Sequence, residues 1–574
     1  MHTAETDILI IGSGGAGLLA ALHAKQSAPA LSVTVAVKGL LGKSGCTRMV
    51  QGGYNVALAK GDSAERHFAD TLTGGKWLNN QEVAWRLVTG AQTRVRELEA
   101  RYGCFFDRNA DGTVHQKAFA GQTFDRTVHK GDLTGIEIMN RVAEHALASG
   151  VERIEEHRAV ALIKAAGGNR IAGALLIDMR TGDYRMVRAK AVLLATGGGP
   201  TMYRYHTPSG DKSCDGMAMA LRAGLPLRDM EMVQFHPTGL LAGPNTRMTG
   251  TVLEEGLRGA GGWLLNSRGE RFMARYDSRG ERATRDIVSR AIQQEITEGR
   301  GTSMGGVYLQ MSHLGADWVA QNFKGMVRRC RDCGFDLARQ QIQVVPTAHY
   351  MMGGVTFEPD CRTEIPGLFA AGEDTGGTHG ANRLGGNGVA NSTVFGGIAG
   401  ESMAEWVQGV EGFAAPDPME VETARQLCET PMDRPAGDLE AIREELFEVM
   451  WDRVGIVRDE TALAQAETDL AALDERLERT GLPDTTRAFN LTWHDWLNLK
   501  SLIRVSSAIT QAARLRRESR GAHYRGDYPD MGPDEPLHYT EVRARGGRLQ
   551  GAWQPVEFTR LQPQTQAKAT ETAT

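Results

Sequence analysis

The 574-residue chain has only seven cysteines, too few and too scattered for a disulfide framework. They read as the reduced thiols of an intracellular protein. No apolar run reaches the ~18 residues needed to cross a bilayer. The first apolar stretch, Ile8 to Ala21, is interrupted by Gly12, Gly14, Gly15 and Gly17, so no secretory leader is expected there. Any membrane association must go through a partner. The net charge of −5 offers no concentrated basic face, which argues against nucleic acid. Cys330-Arg331-Asp332-Cys333 has no second Cys pair and no following His, so neither a zinc site nor a haem attachment is expected. No metal is assigned.

Glycine is what the chain has in abundance: 69 of 574 residues, or about 12%, against a typical value of about 7%. Many glycines sit in clusters, where backbone turns sharply or approaches a ligand. Asp7 to Ile11 reads as a buried parallel strand, Gly12 to Gly17 as a turn, and Leu18 to Leu22 as a helix. Val33 to Val37 is a second strand. Ala191 to Ala195 and Gly367 to Gly372 repeat the pattern of strand followed by glycine far downstream. One nucleotide-binding sheet is thus assembled from distant pieces, with another domain inserted over 234–345. Over 418–525, charged residues alternate with Leu, Ile and Ala at helical spacing, as in Ala462 to Leu477. Residues 526–574 form a C-terminal extension whose polar end, Gln562 to Thr574, is expected to be disordered.

Gly12, Gly14 and Gly17 fit the dinucleotide fingerprint, in which a helix N-terminus meets a pyrophosphate. The acidic residue usual at the end of the second strand is missing. Val37-Lys38 stands there, which weakens a nicotinamide reading. A flavin needs that contact less, because its ribityl arm and ring are held elsewhere. Gln51-Gly52-Gly53 and Thr196-Gly197-Gly198 are the candidates for holding it.

Longer motifs run nearly end to end: GSGGAG (12–17), TRMVQGGYNVAL (47–58), ATGGG (195–199), CDGMAMALRAG (214–224), QFHPTG (234–239), GERFMARY (269–276), TRDIVSRAI (284–292), PTAHYMMGGV (346–355), AAGEDTGG (370–377), HGANRLGGN (379–387) and ESRGAHYRGDYPD (518–530). In these the chain resembles the flavoprotein family of succinate dehydrogenase, fumarate reductase and L-aspartate oxidase. The resemblance implies an α/β fold: a Rossmann-like FAD-binding domain (1–233 and 346–417), an inserted α+β capping domain (234–345) and a C-terminal helical domain (418–525). It implies FAD contacts from Gly12, Ser13, Gly14, Ala16 and Gly17, from Val37 and Lys38, and from Cys46, Thr47, Gln51, Gly52 and Gly53. Further contacts are implied for Ala159, Thr196, Gly197, Gly198, Asp215, Glu373, Gly388 and Val389.

Reducing an alkene by hydride requires polarising the double bond and protonating the other carbon. Fixed cations do the first by gripping a conjugated carboxylate, and a positioned acid does the second. His236, His349 and Arg383 are the cation and donor candidates, and in the resembled family they hold a C4 dicarboxylate. Arg285 matches the proton donor. Arg normally stays protonated, so it needs a relay, which Glu255 and Arg258 match. The chain offers no iron–sulfur or haem motif of its own, and the resemblance implies an iron–sulfur partner subunit. A cytoplasmic protein is expected, peripheral to the inner face of the membrane through its partners.

Three positions depart from the family. Cys46 replaces the His that carries covalent FAD in many members, so non-covalent FAD is expected. Glu254 replaces a Thr that helps hold a substrate carboxylate, and would repel it unless protonated or turned away. The stretch Leu240 to Met248 also lengthens the path from His236 to Glu255. Phe119 stands where L-aspartate oxidases place a Glu for the substrate ammonium. The leading expectation is interconversion of an unsaturated and a saturated dicarboxylate, fumarate and succinate in type. An amino-acid oxidase of the L-aspartate oxidase type is the alternative. A non-catalytic flavin-binding assembly subunit fits less well, because His236, Arg285, His349 and Arg383 are all retained.

Overall fold

Ile8 to Ile11 end a ten-residue strand, β1 (His2–Ile11), and all four are buried. Apolar side chains on both faces of a strand require cover on both sides, and the chain supplies it. The helix α1 (Gly15–Ser27) packs on one face. Gly12 makes the turn between them at φ +113, a left-handed conformation that glycine adopts without strain. A side chain at Gly17 would strike the Gly12 carbonyl, so the fingerprint glycines set how tightly strand and helix meet.

The computed structural model describes residues 1–244 and 246–563, so the expected disordered end lies almost wholly outside the described residues. β1 pairs in parallel with β2 (Val33–Ala36) on one side and with the strand Tyr184–Leu194 on the other. The full sheet runs 152–154, β2, β1, 184–194, 171–178 and 157–164. Leu368–Ala370 joins it by pairing with Val192 to Leu194, where the 171–178 strand has already diverged. The segments after Leu194 and after Ala370 therefore end at the same edge of the sheet as Gly12.

A second, antiparallel sheet joins Val233–Leu240, Gln341–Met351, Val307–Gln310 and Trp263–Leu265 in that spatial order. The helix Arg285–Glu295 lies against it. Leu240, Leu257, Leu264, Phe272, Val288, Ile292 and Leu309 form its own core. Each such side chain taken from water contributes about 1.5–3 kcal/mol.

Four helices follow: Pro418–Glu429, Leu439–Arg453, Glu460–Arg479 and Leu491–Leu515. Each starts at an Asp or Asn whose side chain accepts from a backbone N–H two or three residues on. The bonds are Asp417 with Met419 (2.8 Å), Asp438 with Ala441 (3.0 Å), Asp459 with Ala462 (2.8 Å) and Asn490 with Trp493 (2.9 Å). The extension holds more than its sequence reading suggested. His538–Arg545 and Arg548–Pro555 form a hairpin closed at Gly546-Gly547, and Val542 pairs back onto Leu227. No helix among the described residues is long and apolar enough to cross a membrane.

Candidate active site

One cavity of about 640 Å³ runs from the Gly12 turn to the underside of the second sheet. At its α1 end it is lined by Gly12, Ser13, Gly14, Gly15 and Ala16. The helix has no acidic residue in its first turn and no side-chain cap, so its N-terminus keeps its positive end for an anion. Gly15 N–H donates to Thr47 Oγ1 at 3.2 Å, which ties in the 46–49 turn. Cys46, Thr47, Gln51, Gly52 and Gly53 line the same wall.

The missing acid at the end of β2 is replaced from elsewhere. Asp215, at the start of the helix Asp215–Ala223, reaches Lys38 Nζ at 2.8 Å and Arg158 Nη2 at 2.6 Å. Burial opposes its charge, but Arg158 and Lys38 outweigh burial and hold the carboxyl well below its ordinary range. Asp215 is thus an ionised acceptor beside Val37 and Lys38 that could take ribose hydroxyls. On the other wall, burial raises Glu373 to about 7, and Met351 N–H donates to its Oε1 at 3.0 Å. A carboxyl raised this far repels an anionic cofactor less than a fully ionised one would. Ala159, Thr196, Gly197, Gly388 and Val389 also line the cavity. Gly17 and Gly198 do not. Gly17 packs on Gly12, and Gly198 leaves room for Glu373. A long glycine-lined groove, an open helix N-terminus and an acceptor for ribose together fit FAD.

The far end is polar, and most of its side chains are buried. Gln234 and His236 share a face of the 233–240 strand, and His349 comes from the facing strand. Arg285 begins the helix Arg285–Glu295. Gln234 Oε1 accepts from Arg285 Nη1 and from Arg383 Nη2, both at 3.0 Å. Its Nε2 donates to the Arg383 carbonyl at 2.8 Å. Arg383 also lies over the Tyr350 ring at 4.4 Å. A neutral amide thus fixes the spacing of two buried cations. Gln234 was absent from the residues singled out in the sequence. Its place two residues before His236 on a strand was the available signal.

The histidines are neutral here, able to donate but not to act as cations. Burial and then the nearby Arg285 hold both His236 and His349 well below the ordinary histidine range, so both are neutral. Thr238 N–H donates to His236 Nδ1 at 3.3 Å, which leaves Nε2 as the protonated nitrogen. His349 Nδ1 meets Thr207 Oγ1 at 2.8 Å. Only the arginines carry fixed positive charge here. Burial, then Arg285, lowers Arg383 to about 10, which leaves it charged at neutral pH.

Arg285 is gripped by Glu255 through Nε at 2.8 Å and Nη2 at 2.6 Å, both to Oε2. Glu255 Oε1 lies 3.9 Å from Arg258 Nη2. The three are buried together, not displayed as a surface ion pair, and Arg258 stands behind Glu255 off the cavity wall. The Phe119 ring lines the cavity and packs against Gly52 and Gly385. Glu254 lines it too, and burial raises its pKa. Its Oε2 finds no hydrogen-bond partner among the described residues. Burial thus favours its protonated form, and the side chain faces the cavity instead of turning away. Arg329, which the sequence reading also passed over, lines the wall near Gln51. Cys330 is buried and Cys333 closes the same helix, with both thiols free.

Fold and site together define a FAD-dependent oxidoreductase with a pocket built on two buried arginines. The FAD binding domain family matches residues 7–389, and the fumarate reductase flavoprotein C-terminal family matches 443–568. The chain is 42% identical over 535 residues to a component of the fumarate reductase (CoM/CoB) of Methanothermobacter marburgensis, covering 92% of this chain and 96% of that one. It is 36% identical over 575 residues to the 8-methylmenaquinol:fumarate reductase flavoprotein subunit of Wolinella succinogenes, covering 97% and 91%. The quinol fumarate reductase flavoprotein of E. coli superposes with a TM-score of 0.92 at 33% identity, covering 98% of each chain. The chain belongs to the flavoprotein family of fumarate reductase and succinate dehydrogenase. It is an FAD-dependent oxidoreductase of the fumarate/succinate type, and the L-aspartate oxidase alternative is not favoured.

Proposed function

We propose that the chain interconverts an unsaturated and a saturated dicarboxylate, working mainly as a reductase of fumarate-like alkenes. The observation that carries this reading is the shared Gln234 oxygen, which holds Arg285 and Arg383 3.0 Å away on either side. Two cations fixed in a buried pocket select an anionic substrate. Bound FAD supplies the hydride chemistry at its N5 atom. The protein groups do the rest. Arg383 grips one carboxylate, and the neutral N–H groups of His236 and His349 donate to carboxylate oxygens. Arg285 gives a proton to the alkene carbon and regains one through Glu255 and Arg258. Phe119 presents an apolar wall where an amino acid would need an anion. FAD is held without a covalent bond.

Each alkene reduced leaves the flavin oxidised, so electrons must come from outside the chain. An iron–sulfur partner subunit is the reading we adopt, with any membrane contact made through partners at the cytoplasmic face. The relatives' names carry different donors, CoM/CoB in one and 8-methylmenaquinol in another. The donor is therefore a property of the partner subunits. The test is to reduce the bound flavin anaerobically and mix it rapidly with a panel of unsaturated dicarboxylates, imino acids and oxygen. Fast re-oxidation by fumarate-like alkenes alone is expected. Fast re-oxidation by imino acids or oxygen, with no response to alkenes, refutes the reading.

A further inference from the structure

The cavity holds a cation that the chemistry at its far end does not use. Lys212 lines the wall together with Cys46, Thr196 and Gly197. Its backbone is fastened: the N–H donates to the Ser209 carbonyl at 3.0 Å, and its own carbonyl accepts from Thr201 Oγ1 at 2.8 Å. The side chain then runs through a slot walled by glycines. A β-carbon at Gly199 would lie 2.5 Å from the Lys212 β-carbon, and one at Gly45 or Gly197 would lie 3.5 or 3.8 Å from Nζ. Gly45, Gly197 and Gly199 have φ of +91, +79 and +101, where a side chain is rarely tolerated, so the slot depends on them. At its end Nζ donates to the Thr196 carbonyl at 3.0 Å and makes no ion pair among the described residues. An ammonium carries three donors, so two remain for a ligand. Lys38, by contrast, spends its charge on Asp215.

We propose that Lys212 sets the potential of the flavin: its fixed charge bears on the ring of bound FAD and favours the reduced form over the oxidised. Its place in the cavity separates the ring from the diphosphate. The ammonium stands beside Gly45, on the Cys46 side of the 46–49 turn, and Cys46 occupies the position that carries the covalent link in members with a His. Thr47, on the other side, is what meets Gly15 at the anion-binding end of α1. Reduced flavin readily loses its N1 proton near neutral pH, so two-electron reduction adds negative charge to the ring. A cation held nearby stabilises that state, and the potential rises by the ratio of the two affinities. Burial opposes the charge on Lys212, but the Cys46 sulfur and the Asp211, Glu373 and Asp374 carboxyls around it outweigh burial and hold the ammonium above its ordinary range. It is therefore charged at neutral pH. The charge acts in the same direction as the covalent bond that Cys46 does not make, through space and with no bond formed.

The test titrates the bound flavin of the full-length holoenzyme anaerobically with no substrate present, so its failure is separate from that of the fumarate reading. Lys212→Met keeps the length of the side chain and removes the charge. Reduced FAD should then bind at least tenfold more weakly relative to oxidised FAD, which lowers the midpoint potential by about 30 mV for the two-electron couple. Lys212→Arg should recover most of that shift. The Kd of oxidised FAD, read from flavin fluorescence, should stay within threefold in both variants. The Met variant should also lean further toward alkene reduction over succinate oxidation with dyes. If it sheds FAD on purification, Lys212→Gln titrated in excess FAD gives the same reading. Three results overturn the proposal. One is a ratio of affinities within twofold of wild type. Another is a shift that Lys212→Arg does not recover. The third is an equal loss of affinity for both forms at unchanged potential, which would put the ammonium on the diphosphate.

Discussion

Arg285 and Arg383 would repel each other inside the protein, where both are buried, and the Gln234 oxygen between them relieves that while leaving both positive. Gln234→Glu turns that oxygen into a competing anion. Malonate or oxaloacetate binding, read from flavin absorbance, is expected to weaken at least tenfold, or about 1.4 kcal/mol, with FAD retained. Glu254 sets a second expectation. Burial raises its folded pKa above the ordinary 4.5, so the folded protein keeps a proton that the unfolded chain releases. The contribution to stability therefore falls as pH rises from about 4.5 through the raised folded value. Glu254→Gln should flatten that slope in a melting series against pH. It should also keep dicarboxylate affinity at the alkaline end, where wild type gains a repelling charge. The same slope in both proteins would show that Glu254 is ionised throughout. The titratable members of this site were legible in the sequence because Arg and His in rare motifs announce themselves. Gln234 carries no charge, and only the strand alternation that puts it beside His236 gives it away. That both histidines are neutral was not legible, since it depends on burial beside Arg285.

The glycine turn after β1 and the four helices with Asp or Asn caps were readable because their signals are local. The second sheet was not, since Val233–Leu240 pairs with Gln341–Met351 across the whole insertion. Its register shifts fall between Gln234 and Phe235 and between His236 and Gly239. Irregular pairing of this kind re-aims side chains, here at His236, which lines the cavity, and at Gln234, which holds the two arginines behind it. The hairpin His538–Pro555 was a different kind of omission, because Gly546-Gly547 between two strand-like runs is a local turn signal. Its energetic weight sits on Val542, which is buried where the hairpin meets Leu227. Removing two buried methyl groups costs about 0.8 kcal/mol each plus a cavity term. Val542→Ala is expected to destabilise by about 2 kcal/mol and lower Tm, while the absorbance of bound FAD at room temperature stays unchanged. An unchanged Tm would mean that the hairpin adds nothing to the fold.

Across the whole molecule, the cavity gathers residues from segments around 12, 50, 200, 250, 285, 349 and 383, so a ligand as long as FAD touches every layer that forms it. How that ligand is held bears on which way the enzyme runs. Cys46 lines the cavity, and burial pushes its thiol up to about 12. The thiolate is the nucleophile, and at that pKa almost none exists at neutral pH. A bond from Cys46 to the flavin is therefore not expected, and no His occupies the position. Acid precipitation should release all the yellow colour into the supernatant. A covalent link withdraws electron density from the ring and raises its reduction potential, so flavin without it is the poorer oxidant. Oxidising an unactivated saturated dicarboxylate needs a strong oxidant. Reducing a conjugated alkene does not, and on the proposed reading the paired arginines polarise it. The chain is therefore expected to reduce fumarate-like alkenes with artificial donors faster than it oxidises succinate-like acids with dyes. Colour retained in the pellet, with a flavin–Cys46 peptide found by mass spectrometry, would remove the first step of this argument. Succinate oxidation outpacing alkene reduction in the non-covalent enzyme would remove the last, and would place control of direction in the partner that carries the electrons.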